Sequence, residues 1–427
     1  MNEHAASHPL SAADACAPNA ASLWSVEQAQ QHMLELTRPI EGTENVSLTD
    51  ALGRVLAQSL HSPVDVPAMD CSAMDGYALR AADLYGNGAT AMSVSQRIAA
   101  GDLPQPLLPR TAARIFTGAP LPSGADAVVM QETVETTGDA IRLQGTVEPG
   151  QFVRRRGEDV SRHHLVLPPG IRLTAAHIGL AASVGVAALP VMRRLRVALV
   201  ATGSELETPG RDLPPGKIYN TNLYFLGALL RQMNCDISSS ITIGDDPTAT
   251  EKALAEAAAA ADIVITSGGV SVGDEDHVKA AVDRLGNLSL WRVAMKPGKP
   301  VAFGRIGSAL FLGLPGNPVS AFITYCLFAQ PILQKLSGTE RRVPQAQRLP
   351  AAFSWRNVGP RRNYLRARCA RGESGDQEIH IWPNQNSGAL AGVAWAQGLA
   401  VIQEGTSVEA GQLVPYISFA ELGLSAG

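Results

Sequence analysis

Three apolar runs, at residues 197–200, 263–266 and 309–312, each end abruptly in a loop that carries glycine. None of them alternates apolar with polar, so each reads as a strand buried on both faces, as in a parallel sheet covered by helices. The segments between them agree. Residues 221–233 place Leu223, Leu226, Leu230 and Met233 in helical phase, 248–261 is an Ala-rich helix, and 277–285 is a third. Further strands are predicted at 237–243 and 288–293, and a long helix at 318–336 closes the unit. Strand, turn and helix in repetition define an α/β fold with a mostly parallel sheet.

The flanking chain has a different texture. Ser25 and Gln28 have capping-box spacing, and Val26, Ala29, Met33 and Leu36 fall on one helical face. A second amphipathic helix is expected over 50–60. From 63 to 160, short β-type runs (93–98, 113–116, 127–131, 140–143) are separated by Gly/Pro turns, the pattern of a small all-β unit. A helix over 174–183 then resumes the earlier character, so the β unit reads as an insertion. A Pro/Gln/Arg-rich linker, 341–350, leads to short strands consistent with a small β-barrel. The expected organisation is a tail (1–22), an elongated helical domain (23–62 plus 161–193), an inserted β domain (63–160), an α/β domain (194–340) and a C-terminal barrel (341–427).

Composition narrows the function. A net charge of −4 gives no basic excess for a nucleic-acid backbone. Residues 173–192 carry no formal charge, but Gly179, Ser183, Gly185 and Pro190 break them into a helix, a turn and the start of a strand, not a membrane span. Five cysteines without a CxxC indicate neither a disulfide framework nor a zinc site, and a cytoplasmic setting fits. Residues 1–20 lack the basic-then-apolar pattern of a secretory signal. The histidines show no HExxH spacing, and no GxSxG elbow is present.

The strand-end loops carry the chemistry. Thr202, Gly203 and Glu205 follow the first run; Ser267, Gly268 and Gly269 follow the second; Pro315, Gly316, Asn317, Pro318 and Ser320 follow the third. In open α/β sheets ligands bind at such ends, and glycine lets backbone N–H groups approach an anion. The helix after the third loop turns its positive end the same way. Three such loops point to a phosphate-bearing ligand, although neither a GxGxxG nor a Walker A pattern is present. Glu205, Asp245, Asp246, Asp274, Glu275 and Asp276 surround them, as Mg²⁺ or ribose partners or as turn and cap residues. Lys296 and Lys299, three apart in a proline-restricted turn, suit a small oxyanion. At an effective dielectric near 20, a charge pair at about 4 Å gains on the order of 4 kcal/mol before desolvation. A surface turn is the alternative. Arg154, Arg155 and Arg156 read either as an exposed basic edge or as a second anion site.

At these residues the chain resembles the molybdopterin molybdenumtransferase family, bacterial MoeA and the E domain of gephyrin. The matching motifs run in family order along most of the chain: DCSAMDGYA (70–78), FTGAPLPSGADAVVMQE (116–132), RRRGEDV (154–160), ATGSEL (201–206), IYNTN (218–222), DDP (245–247), SGGVSVGDEDHVK (267–279), KPGKP (296–300) and GLPGNPVS (313–320). The C-terminal part matches more loosely, through 361–366 and 385–387. Asn220 stands where many relatives carry Asp, and Arg292 where some carry Lys.

The resemblance implies a MogA-like α/β domain, an elongated helical domain with a β insert, and a small C-terminal β-barrel. It implies a homodimer in which the insert of one subunit faces the α/β domain of the other. It also implies molybdenum insertion from molybdate into adenylylated molybdopterin, with release of AMP and Mg²⁺ present. Carried over residue by residue, Asp75 and Asp276 would be catalytic. Thr117, Arg154, Asp159, Asp245, Pro315 and Pro318 would bind substrate. Lys296, Lys299, Ser320, Arg366 and Ser387 would hold molybdate, and Glu205, Asp245 and Asp276 the metal. Contacts with the adenylyltransferase and with cofactor-accepting enzymes follow from the same likeness. A molybdopterin adenylyltransferase is the first alternative, opposed by the extra domains and the DCSAMDGYA and RRRGED motifs. A noncatalytic scaffold is the second, opposed by the lack of a long interaction linker. Tungstate in place of molybdate stays open.

Overall fold

The computed structural model describes residues 23–84, 89–270, 277–339, 343–372 and 375–424. The chain forms two compact units, Thr43–Val191 and the remainder on either side of it.

The larger unit is built on a six-stranded sheet in the order Asp236–Ile243, Arg196–Thr202, Ile263–Ser267, Ala309–Leu314, Pro300–Ile306, Gly286–Arg292. The first four run parallel, and Pro300–Ile306 alone runs against them, antiparallel to both of its neighbours. The apolar runs predicted this burial. Val197, Leu199, Ile263 and Ile265 enter one core, while Ala198, Val200 and Val264 enter another. Successive strand residues point to opposite faces, so both faces of the sheet are covered. The strand Pro300–Ile306 was not expected. It is joined to the next strand by a two-residue link in which Gly307 has φ +58°, a connection too short for a parallel crossover.

The predicted helices appear as Asn222–Gln232, Pro247–Ala260 and His277–Leu285. Asp246 caps the second, its carboxylate accepting from Ala249 N at 2.6 Å. The long helix is helical throughout 318–336, but Tyr325–Ala329 forms a π turn between Pro318–Thr324 and Gln330–Leu336. Pro331 offers no N–H to the Leu327 carbonyl four residues earlier, and Gln30 Nε2 donates to that carbonyl at 2.6 Å. Gln30 belongs to the helix Val26–Leu36, which has the predicted Ser25–Gln28 capping box. Lys335 Nζ donates to Leu34 O, and Ile40 N to Leu336 O. These bonds, with Val26, Ala29 and Met33 in the shared core, put the first helix in the α/β unit. Residues 23–42 thus pack with the α/β unit, whereas 43–62 and 161–191 lie in the other compact unit. Arg193 ties the chain's two crossings together, donating to Glu41 O and to the Asp262 carboxylate.

The C-terminal strands Arg362–Arg371, Gly398–Ile402, Leu413–Ser418 and Gln347–Pro350 pair in that order. Gln377–Ile381 pairs with the first, and a bridge from Ala351 to Ile379 closes the barrel. The predicted linker 341–350 thus ends as a strand. Met295–Lys296 adds to the barrel sheet, paired with Arg362 and Asn363, so the lysine turn is stitched to it.

The unit Thr43–Val191 holds a six-stranded sheet: Ala127–Met130, Gly76–Leu79, Thr111–Ile115, Ala89–Ile98, Ala140–Gln144, Val134–Thr137. The helix Ala175–Ser183 begins at Thr174 as expected. The helix expected over 50–60 is absent: Leu48–Asp50 forms one 3-10 turn, and the backbone then extends. Gly53 has φ +73°, and the N–H groups of Gly53, Leu56 and Ala57 donate to Leu173, Ile171 and Pro190. These long-range partners outcompete the helical ones. Among the described residues, no helix is long and apolar enough to cross a membrane.

Candidate active site

A cleft of ≈ 1070 Å³ lies in the larger unit, at the carboxyl ends of the parallel strands and against the barrel. It gathers all three strand-end loops. Thr202, Gly203, Glu205 and Asp245 line it on one side, Ser267, Gly268 and Gly269 at the centre, and Pro315, Gly316, Asn317, Pro318 and Ser320 on the other. Lys296 and Lys299 join them, and the barrel adds Arg366 and Ser387. Asp276, with Asp274 and Glu275, lies outside the described residues.

Glycine is obligatory in this floor. Gly268 has φ +93°, and a Cβ there would come within 2.8 Å of the Thr202 carbonyl. The first loop is locked by a reciprocal pair: Ser204 N donates to Asp245 Oδ2, and Asp245 N to Ser204 Oγ, both at 2.9 Å. Asp245 Oδ1 takes no part in this pair. Glu205 folds back against Gly203. Two carboxylates beside a phosphate-type loop are a donor set suited to Mg²⁺, which keeps several waters and takes one or two carboxylates beside substrate phosphates. Among the described residues, no group of three or more His, Cys, Asp or Glu forms a closed cage. Asn220 is occupied as a brace: its Nδ2 donates to Thr242 Oγ1 at 3.0 Å and its Oδ1 accepts from Leu223 N at 3.2 Å.

The cationic side is fixed by backbone. Gly298 has φ +104°, and a Cβ there would sit 2.7 Å from Thr324 Oγ1, so the lysine turn presses directly on the helix Pro318–Thr324. Arg366 is 1% exposed, and its guanidinium donates to the carbonyls of Asn384, Asn386 and Gln385 at 2.7, 3.0 and 3.2 Å. Among the described residues no carboxylate pairs with it, and its Nε has no partner. Burial brings the guanidinium down to about 10, so it stays charged at neutral pH. A buried, uncompensated cation at a cleft favours an anion. Ser387 is set by its carbonyl, which accepts from Val319 N at 2.9 Å.

The other four predicted residues lie in Thr43–Val191. Gly76 admits no Cβ, because the Val129 carbonyl of the paired strand occupies its place, and this presents Asp75 at the strand's start. Asp75 Oδ1 accepts from Thr117 N at 2.8 Å and Thr117 Oγ1 at 2.7 Å. These bonds hold the carboxyl below the usual range. The two motifs 70–78 and 116–132 are therefore one feature. The arginine run divides: Arg155 pairs with Asp70 and Arg156 with Asp65, at 2.7 and 2.6 Å, while Arg154 stays exposed without a carboxylate among the described residues. Asp159 is exposed, and its N–H donates to Val66 O.

Sequence reasoning assigned no role to Asn222, Trp355, Asn357, Arg361 or Asn363, which also line the cleft. Asn222 opens a helix and reads as a cap; the others lie in the loosely matching barrel.

A sheet covered on both faces, with glycine-built strand ends beside Lys296, Lys299 and Arg366, defines an α/β protein whose cleft suits an anionic ligand. Comparison with known proteins gives the family. Residues 24–185 match the MoeA N-terminal region (domain I and II), 198–335 the probable molybdopterin binding domain, and 348–419 the MoeA C-terminal region (domain IV). The chain is 37% identical to the molybdopterin molybdenumtransferase of Haemophilus influenzae over 93% of its own length and 99% of that protein's. It is 40% identical to molybdopterin molybdenumtransferase 2 of Mycobacterium tuberculosis, over 74% of this chain and 80% of that one. A molybdopterin biosynthesis MoeA protein from Pyrococcus horikoshii superposes with a TM-score of 0.80 at 27% identity, covering 93% of this chain and all (100%) of that one. The chain belongs to the molybdopterin molybdenumtransferase (MoeA) family.

Proposed function

We propose that this transferase inserts molybdenum from molybdate into adenylylated molybdopterin and releases AMP, the final step of molybdenum cofactor biosynthesis. The observation that carries this reading is Arg366, a buried cation with no carboxylate partner among the described residues, in the same cleft as three glycine-bearing loops. The loops offer N–H groups to the nucleotide and pterin phosphates. Lys296, Lys299 and Arg366 supply charge to the tetrahedral dianion, and Ser320 and Ser387 supply hydroxyls. Glu205 and Asp245, with Asp276, would hold Mg²⁺, which as a Lewis acid would ease loss of the adenylate. Asp75 and Asp276 are the proposed catalytic carboxylates, with Thr117, Arg154 and Asp159 as substrate contacts.

The reading carries a two-fold homodimer in which each site draws Asp75, Thr117, Arg154 and Asp159 from one subunit and the cleft from the other. It also carries a cytoplasmic setting and handover contacts with the adenylyltransferase and with enzymes that accept the cofactor. The test is AMP release from adenylylated molybdopterin by the purified protein. Release should depend on molybdate. Fast release without it, unchanged when it is added, would refute coupled insertion.

A further inference from the structure

The central glycine loop of the cleft and the loop beside it are joined by one side chain. Asn222, 7% exposed at the start of the helix Asn222–Gln232, donates through Nδ2 to Ser267 Oγ at 2.6 Å and to Gly316 O at 2.7 Å. Gly316 O can only accept, which fixes the orientation of the amide. Ser267, having received one amide hydrogen, turns its own hydroxyl to Pro315 O at 3.4 Å. Gly268 N donates to Leu314 O at 3.0 Å just below. Both amide hydrogens of Asn222 are thus spent on the two loops whose spacing sets the phosphate-facing floor.

We propose that Asn222 is a positioning residue: it pins the Ser267–Gly269 loop to the Pro315–Pro318 loop, so that the floor of the cleft keeps the spacing that the nucleotide phosphate needs. The proposal rests on the function given above. It separates nucleotide from oxyanion, because the lysine turn is also held by the barrel strand that pairs with Met295–Lys296. A polar link inside a buried network is costly to break, since each member is left unsatisfied.

The experiment compares the full-length protein with Asn222→Ala, Asn222→Asp and Ser267→Ala. The Asp variant keeps the size but turns a carboxylate oxygen toward Gly316 O. Ser267→Ala cuts the same link from the other side and serves if the first variants do not fold. AMP affinity by calorimetry should fall roughly tenfold or more, while the molybdate KM stays within about twofold. Hydrogen exchange of the free protein should speed up in the two loops and not in the barrel. Unchanged loop exchange, or AMP and molybdate affinities falling together with the melting temperature, overturns the pin. A wild type that binds no AMP instead sinks the functional reading, and the exchange measurement still decides the pin.

Discussion

Arg366 has the environment of a charge waiting for its counterion. Three carbonyls orient the guanidinium, yet their partial charges do not neutralise it. An anion that binds only the folded state stabilises it by mass action. Molybdate should therefore raise the melting temperature of the wild type, and Arg366→Met should lose that increment; an equal rise in both would remove Arg366 from the oxyanion site. Lys296 is different, because it sits exposed at the cleft on a rigid turn. Losing one charge-assisted contact costs about 1.5–3 kcal/mol, a tenfold to roughly hundredfold effect. Lys296→Ala should raise the molybdate KM by that factor while calorimetric AMP affinity changes little. The opposite pattern would assign the lysine turn to the nucleotide.

At the scale of elements, two contacts outside the cleft have measurable consequences. Gln30 donates to the Leu327 carbonyl, which Pro331 cannot serve, and Gln30→Leu should lower unfolding free energy by roughly 1–2 kcal/mol in urea titration. No loss would mean that the π turn satisfies that carbonyl by itself. Asp262, just before the strand Ile263–Ser267, accepts from Arg193, from Arg196 and from Arg196 N. Burial alone would raise its carboxyl, but these bonds outweigh it and bring the value down to about 2. The folded value lies below the unfolded one, near 3.9, so the stabilisation is full above about pH 4 and lost as pH falls toward 2. Asp262→Asn should cost on the order of 2 kcal/mol at pH 7, and the gap to wild type should close below pH 2. A gap independent of pH would rule out the ion pairs as its cause. Such contacts also mark what the sequence left unread. Capping boxes at Ser25 and uniform apolar runs are local signals, and they marked the helices and parallel strands. The false helix over 50–60, the π turn and the Asn222 pin depend on partners far along the chain. The cleft's glycine loops and lysine turn were legible as motifs. That they share a cleft with Arg366 was implied by the family resemblance alone; no local signal carries it, because it takes the barrel pairing at Lys296–Asn363 to bring them together.

At the scale of the whole molecule, the proposed dimer is open to a complementation experiment. Asp75→Asn and Lys296→Ala proteins should each be nearly inactive. In purified mixed dimers, one site carries both lesions and the other none, so activity should return to about half of wild type. Mixed dimers as inactive as their parents would mean that each site is built within one subunit. The division of the chain has a further consequence, in the order of its making. Thr43–Val191 is continuous, whereas the unit around it needs Gln30 and Leu34 near the beginning to meet Leu327 and Lys335 much later. Domains fold as units while the chain emerges from the ribosome. The middle of this protein is thus finished while its first helix, already synthesised, still waits for the surface it will lie on.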